Sequence, residues 1–121
     1  MNPYELTISQ ALKRMEQGEL SAVELTKSCL DRIDAVEKEV SAFVTIDREG
    51  ALAQAENADR QRKAGDGGSL CGIPLSVKDL LCTKELRTTC GSKMLENYVP
   101  PYNATVVEKI KSEGAVILGK T

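Results

Sequence analysis

Two short apolar runs separated by a single helical pattern constrain this chain more than any other feature. The first, Cys71 to Lys78, is apolar except for Ser76 and its closing lysine, and the second, Ala115 to Leu118, is apolar throughout. Runs of this kind suit strands covered on both faces. Between them, Asn103 or Thr105 can cap a helix that carries Val106, Val107 and Ile110 inward and closes at Gly114. A strand, a helical crossover and a second strand form a βαβ unit, whose strands run parallel. Pro74 has no N–H to give to a ladder, so the regular part of the first strand is expected after it.

The residues before this unit read as helical scaffold. Thr7 and Gln10 form a capping box, Ile8, Ala11, Leu12 and Met15 share one face, and Gly18 stands where the helix stops. Ser21 and Glu24 repeat the cap and predict a longer helix to about Val36, with Leu25, Cys29, Ile33 and Val36 as its buried stripe. From Val40 to Ile46 the period changes to two, which predicts a short strand presenting Val40, Ala42, Val44 and Ile46 on one face. Asp47 can cap a third helix from about Arg48 to Lys63, where Ala51, Ala53, Ala55 and Ala58 allow close approach. The glycine-rich stretch from Ala64 to Ser69 reads as a flexible loop and the best candidate for a linker. Thr83 to Ser92 is a polar loop with functional potential, and Lys93 to Asn97 a helical turn ended by Pro100-Pro101. Three strands make too small a sheet to be covered on both faces. The 121 residues are therefore expected to be the opening part of a larger α/β domain.

The chain contains no histidine, which excludes a Ser-His-Asp or Cys-His arrangement and a histidine-ligated metal within it. A proton acceptor working near neutral pH must then be a carboxylate, a perturbed cysteine or a lysine with a lowered pKa. With 16 basic and 18 acidic residues the net charge is -2, which offers no electrostatic footprint for nucleic acid, so an RNA partner would be gripped by another chain. Cys29, Cys71, Cys82 and Cys90 lack C-x-x-C pairing. Without a leader pattern or an apolar run of about 18 residues, the chain reads as cytoplasmic, with reduced thiols and no membrane contact. In that setting the sequon Asn103-Ala104-Thr105 is idle.

Gly114 to Thr121 matches G-x-x-x-x-G-K-[ST] letter for letter. A phosphate loop must follow a strand and open a helix, whereas here the four middle residues are themselves the strand, so the match is read as chance. Lys78 has two readings. It can snorkel to solvent or pair with Asp79, or, partly buried and short of solvation, accept a proton from a serine hydroxyl. Ser76, two residues away on the same strand, lacks an oxyanion site and an orienting group and is a poor nucleophile candidate.

Gly72-Ile73-Pro74 through Lys78-Asp79, the block Leu86-Arg87-Thr88-Thr89-Cys90-Gly91-Ser92-Lys93-Met94-Leu95-Glu96-Asn97, the block Pro101-Tyr102-Asn103-Ala104-Thr105-Val106-Val107 and the run Gly114 to Thr121 together resemble the amidase signature family. More narrowly, Arg87-Thr88-Thr89-Cys90, Asn103 to Val107 and the helical opening from Leu6 resemble the A subunits of glutamyl-tRNA(Gln)/aspartyl-tRNA(Asn) amidotransferases. The resemblance implies a three-layer α/β/α fold with a mixed, largely parallel sheet. It implies a serine nucleophile activated through a second serine, preceded by a cis peptide bond, and a lysine base that Lys78 matches. Both serines would lie beyond Thr121, leaving residues 1–121 as the N-terminal portion of one amidase domain, inactive alone. Asp79 matches the acid after that lysine and is expected to support it by hydrogen bonding. The implied activity is hydrolysis of glutamine, with ammonia passed to a partner within a complex of A, B and C subunits. ATP, magnesium and tRNA are implied for the partner subunits and no cofactor for this chain. A free-standing amide hydrolase of the same family and a non-catalytic interaction module are the competing expectations.

Overall fold

A computed structural model describes residues 1–121. The chain forms four α-helices and three strands: α1 (Ile8–Glu16), α2 (Ala22–Val40), β1 (Thr45–Ile46), α3 (Arg48–Lys63), β2 (Pro74–Val77), α4 (Thr105–Ser112) and β3 (Val116–Lys120). Short 3-10 turns occupy Pro3–Glu5 and Lys93–Leu95.

The helix starts follow from local chemistry. Thr7 accepts from the Gln10 N–H and Ser21 from the Glu24 N–H, and each box is closed by the reciprocal side chain. Asp47 accepts from the Gly50 N–H at the head of α3. Each such cap contributes about 1 kcal/mol. Glycine ends α1 and α4, since Gly18 and Gly114 take positive φ of 73° and 84°. α4 differs from expectation at its start. Its cap is Ala104, without a side-chain bond, because Asn103 is engaged elsewhere: its carbonyl oxygen accepts from the Lys84 N–H and its amide donates to Glu108.

The sheet order is β1-β3-β2, with β3 central, parallel to β2 and antiparallel to β1. The βαβ unit is thus present. Pro74 opens β2 as its first residue, where its missing N–H costs nothing. α2 and α3 cover one face around Leu25, Leu30, Ala51, Ala55, Ala58, Ile73, Val116 and Leu118. The other face carries Val77, Val107 and Ile117, with Leu75, Leu81, Leu86 and Ile110 packed against them. The small side chains of α3 bring it close to β3, where Gln54 supplies a substitute strand edge: its side chain accepts from the Ile117 N–H at 3.0 Å.

β3 is irregular in a way that matters below. Leu75 and Val77, two residues apart, pair with Ile117 and Lys120, three residues apart. The extra residue is a bulge. Strict alternation would send Lys120 to the face of Val116 and Leu118; the bulge returns it to the face of Val77 and Ile117. Gly119 within it has a separate duty. A Cβ there would lie 2.1 Å from the Thr45 carbonyl oxygen, so only glycine lets β1 approach.

Two expectations are corrected. The alternating strand from Val40 to Ile46 shrinks to Thr45–Ile46, because α2 runs through Val40 and ends at Ser41 in the left-handed region. Of the two alternating sets, Val40, Val44 and Ile46 are exposed and Phe43 packs on the core. Second, the glycine-rich stretch from Ala64 to Ser69 is not a free linker at its far end. Ser69 donates from N–H and Oγ to the Glu113 carboxylate at 2.8 and 2.7 Å, the Leu70 N–H donates to the Glu113 carbonyl, and a Cβ on Gly68 would strike the Glu113 backbone. Those hydrogen bonds hold the Glu113 carboxyl below its usual range.

Candidate active site

β2 and β3 end side by side, and each delivers a lysine. Lys78 follows β2 directly and its side chain is exposed. Its Nζ makes no hydrogen bond or ion pair within the chain. The partial burial expected of Lys78 is therefore not provided by these residues. The side chain lines a hollow of about 180 Å³ together with Val44, Asp79, Leu80, Cys90, Gly91 and Thr121. Ser76 is exposed on the same strand, two residues before it.

Asp79 is buried, at 4% exposure, and does not pair with Lys78. Its carboxylate accepts from the Thr89 N–H at 3.1 Å and from the Thr89 hydroxyl through a short bond. Its backbone is pinned on both sides: its N–H donates to the Thr121 carbonyl at 2.7 Å, and its own carbonyl accepts from the Cys90 N–H at 2.8 Å. Thr121 in turn donates to the Val77 carbonyl. The main chain that carries Lys78 is thus clamped between the end of β3 and the loop from Thr83 to Ser92. Bonds to an ionised carboxylate are among the stronger ones, about 1.5–3 kcal/mol each.

That loop is fixed as well. Arg87 reaches across to β1, donating to the Val44 carbonyl, the Thr45 hydroxyl and the Glu96 carbonyl. Cys90 and Gly91 follow one another at positive φ of 53° and 68°, turning the chain beneath Lys78. All four cysteines are free thiols. Burial raises the Cys29 and Cys71 thiols above their usual pKa, which marks them as inert core residues.

Lys120, the second lysine, went unrecognised in the sequence because it sits in the dismissed phosphate-loop string. It is 0% exposed. Its ammonium donates to the Leu81 carbonyl at 2.6 Å, the Thr83 hydroxyl at 2.9 Å and the Thr88 hydroxyl at 2.8 Å, which uses all three of its N–H bonds. Burial pulls its pKa below the ordinary lysine value, and the nearby Asp79 carboxylate opposes that shift. The geometry also settles the phosphate-loop match, since Gly119 and Lys120 belong to the strand itself. A signal was available: a lysine closing an apolar strand, with Thr83 and Thr88 in the loop that must pass over it. No three His, Cys, Asp or Glu side chains converge as a metal-ligand set, and no helix is long and apolar enough to cross a membrane.

The site is thus a lysine following a parallel strand, beside a buried acid, on a sheet with helices on both faces. The amidase family model matches residues 24–121, and the chain belongs to the amidase family. It is 55% identical over 120 residues to the A subunit of the glutamyl-tRNA(Gln) amidotransferase of Desulfotalea psychrophila, covering 99% of this chain and 25% of that protein. It is 56% identical over 117 residues to the protein of the same name from Dehalococcoides mccartyi, covering 97% and 24%. The native peptide amidase of Stenotrophomonas maltophilia superposes with a TM-score of 0.93 at 35% identity, covering 100% of this chain and 26% of that one. The 121 residues thus span about a quarter of the length of the curated relatives they match.

Proposed function

We propose that these residues are the opening part of the A subunit of a tRNA-dependent amidotransferase, and that Lys78 is the general base of its glutaminase reaction. The observation that carries this reading is the free Nζ of Lys78, held by a clamped backbone at the mouth of a hollow, in a chain 55% identical to such a protein. The rest of the domain, beyond Thr121, would supply the nucleophilic serine, the second serine and the oxyanion donors. It would also cover Lys78. Burial by those residues would favour the neutral amine, which can take a proton.

In this mechanism Lys78 Nζ accepts the proton of the second serine, which takes that of the nucleophile. The nucleophile attacks the side-chain amide carbon of glutamine, the proton returns to the leaving nitrogen, and ammonia departs. Water then cleaves the acyl-enzyme to glutamate. The ammonia passes to a partner protein of the complex, where the glutamate or aspartate on a mischarged tRNA, activated by ATP with magnesium, becomes its amide. The B and C subunits are the expected partners, and the complex is cytoplasmic. tRNA and ATP would be handled outside these residues, in keeping with a net charge of -2.

A free-standing amide hydrolase is the second reading, favoured by the superposition on the peptide amidase. Glutamine and unrelated amides offered to the full-length protein, with and without candidate partner subunits, separate the two. The amidotransferase reading expects glutaminase activity that rises with the partners; vigorous turnover of unrelated amides without any partner would overturn it.

A further inference from the structure

The mechanism above gives Lys120 no part, yet the chain invests its most buried charge there. All three acceptors of its ammonium lie between residues 81 and 88. That segment begins just after Asp79 and ends just before Thr89, the two residues joined by the hydrogen bonds behind Lys78. Lys120 is therefore enclosed by the loop that closes on Asp79. An ammonium with three acceptors at hydrogen-bond distance fixes three points of that loop at once, and its position in β3 ties them to the sheet. The bulge in β3 is what turns Lys120 toward this loop. Nothing about stability alone requires a cation here, because an apolar side chain of similar volume in such a place is often as stabilising as a buried charge.

We propose that Lys120 is a positioning residue for Lys78: its ammonium sets the course of residues 81–88, which sets Thr89, which holds Asp79 and the backbone of the base. The role rests on the assignment of Lys78 as base. Lys120 is not itself a proton acceptor in this scheme, since each of its N–H bonds is occupied. Its effect falls on the chemical step, where a misplacement of about 1 Å can cost roughly 100-fold in rate, and not on the binding of glutamine.

The test uses the full-length enzyme in complex with its partner subunits. For Lys120→Met, kcat for glutamine hydrolysis is expected to fall by about 100-fold with KM within about twofold of wild type, in protein shown to be folded by thermal unfolding. Thr88→Val, which removes one acceptor and keeps the shape, is expected to lower kcat by about tenfold, and Thr88→Ser to recover most of that loss. A folded Lys120→Met enzyme with kcat within twofold of wild type overturns the proposal. So does a fall in kcat that only tracks the folded fraction. If Lys120→Met does not fold, the Thr88 pair decides, and equal activity of Thr88→Val and Thr88→Ser counts against the role. Lys78→Ala measured in parallel keeps the two readings apart. Turnover that survives Lys78→Ala removes the base and this role with it, whereas turnover lost in Lys78→Ala but kept in Lys120→Met overturns the role of Lys120 alone.

Discussion

Two neighbouring strands of one sheet each end in a lysine, and the two side chains have opposite fates. Lys78, after β2, projects to the surface with no partner in the chain. Lys120, at the end of β3, is wholly enclosed with every N–H engaged. The difference teaches that burial alone does not make a lysine a base. A buried lysine saturated with acceptors is a strut, because its ammonium has no room for another proton and losing one would break a contact that offsets its burial. The free one retains chemical capacity. Between them stands Asp79, buried beside both and committed to Thr89.

The largest effect that can test this contrast is at Lys78. Lys78→Ala in the full-length enzyme is expected to lower glutaminase kcat by at least about 1000-fold, in the range assigned to general base catalysis. Its melting temperature should move little, since Nζ makes no hydrogen bond or ion pair within these residues and its loss leaves no buried partner unpaired here. Retained turnover would show that another group is the base and would erase the functional difference between the two lysines.

Asp79→Asn should be intermediate. It preserves shape but removes the charge that Thr89 solvates and that opposes the lowering of the Lys120 pKa. A loss of about 1.5–3 kcal/mol of stability is expected in denaturant titration, together with a kcat loss smaller than that of Lys78→Ala. An unchanged midpoint would mean that the acid is not the shared anchor.

The smallest effect is electrostatic. The folded-state pKa of Lys120 lies below its unfolded value near 10.5. Between those two values the unfolded chain binds more protons than the folded one, so this group makes stability rise with pH across that window. Below the folded value its contribution is constant. Wild type should therefore gain stability relative to Lys120→Met as alkaline pH approaches about 10.5, read as the difference between two unfolding curves. A difference that is flat or falls with pH would place the ammonium in a more favourable site than its burial implies.

What the sequence showed and what it hid divide along a physical line. The caps at Thr7, Ser21 and Asp47 were legible because donor and acceptor lie within three residues of each other. The parallel pairing of β2 and β3 followed from two apolar runs and a crossover too long for a hairpin. β1 is shorter than the alternation suggested because α2, started at Ser21, runs on through Val40 and takes the first of the alternating residues. The cap of α4 was missed since Asn103 found a better partner in Lys84, a tertiary contact that no local window contains. At the site, Lys78 and Asp79 could be singled out, but the acid's true partner, Thr89, could not. For the burial of Lys120 the sequence held only a hint, a lysine closing an apolar strand, because its direction depends on a bulge, and a bulge is a property of two strands in register, not of one.

That bulge makes β3 a strand with mixed allegiance. Up to Leu118 its odd and even positions are assigned to the two layers in the usual order, and after Gly119 the assignment is inverted. Substitution and length change are therefore different kinds of event in this segment. Replacing a side chain weakens one contact and leaves the handedness of the rest intact. Removing a single residue between Ile117 and Lys120 takes out the bulge and shifts the pairing with β1, and where the residue lost is Gly119 it puts a side chain where only glycine lets β1 approach. Outside Gly119 and Lys120, β3 should bear a change of side chain better than a change of length.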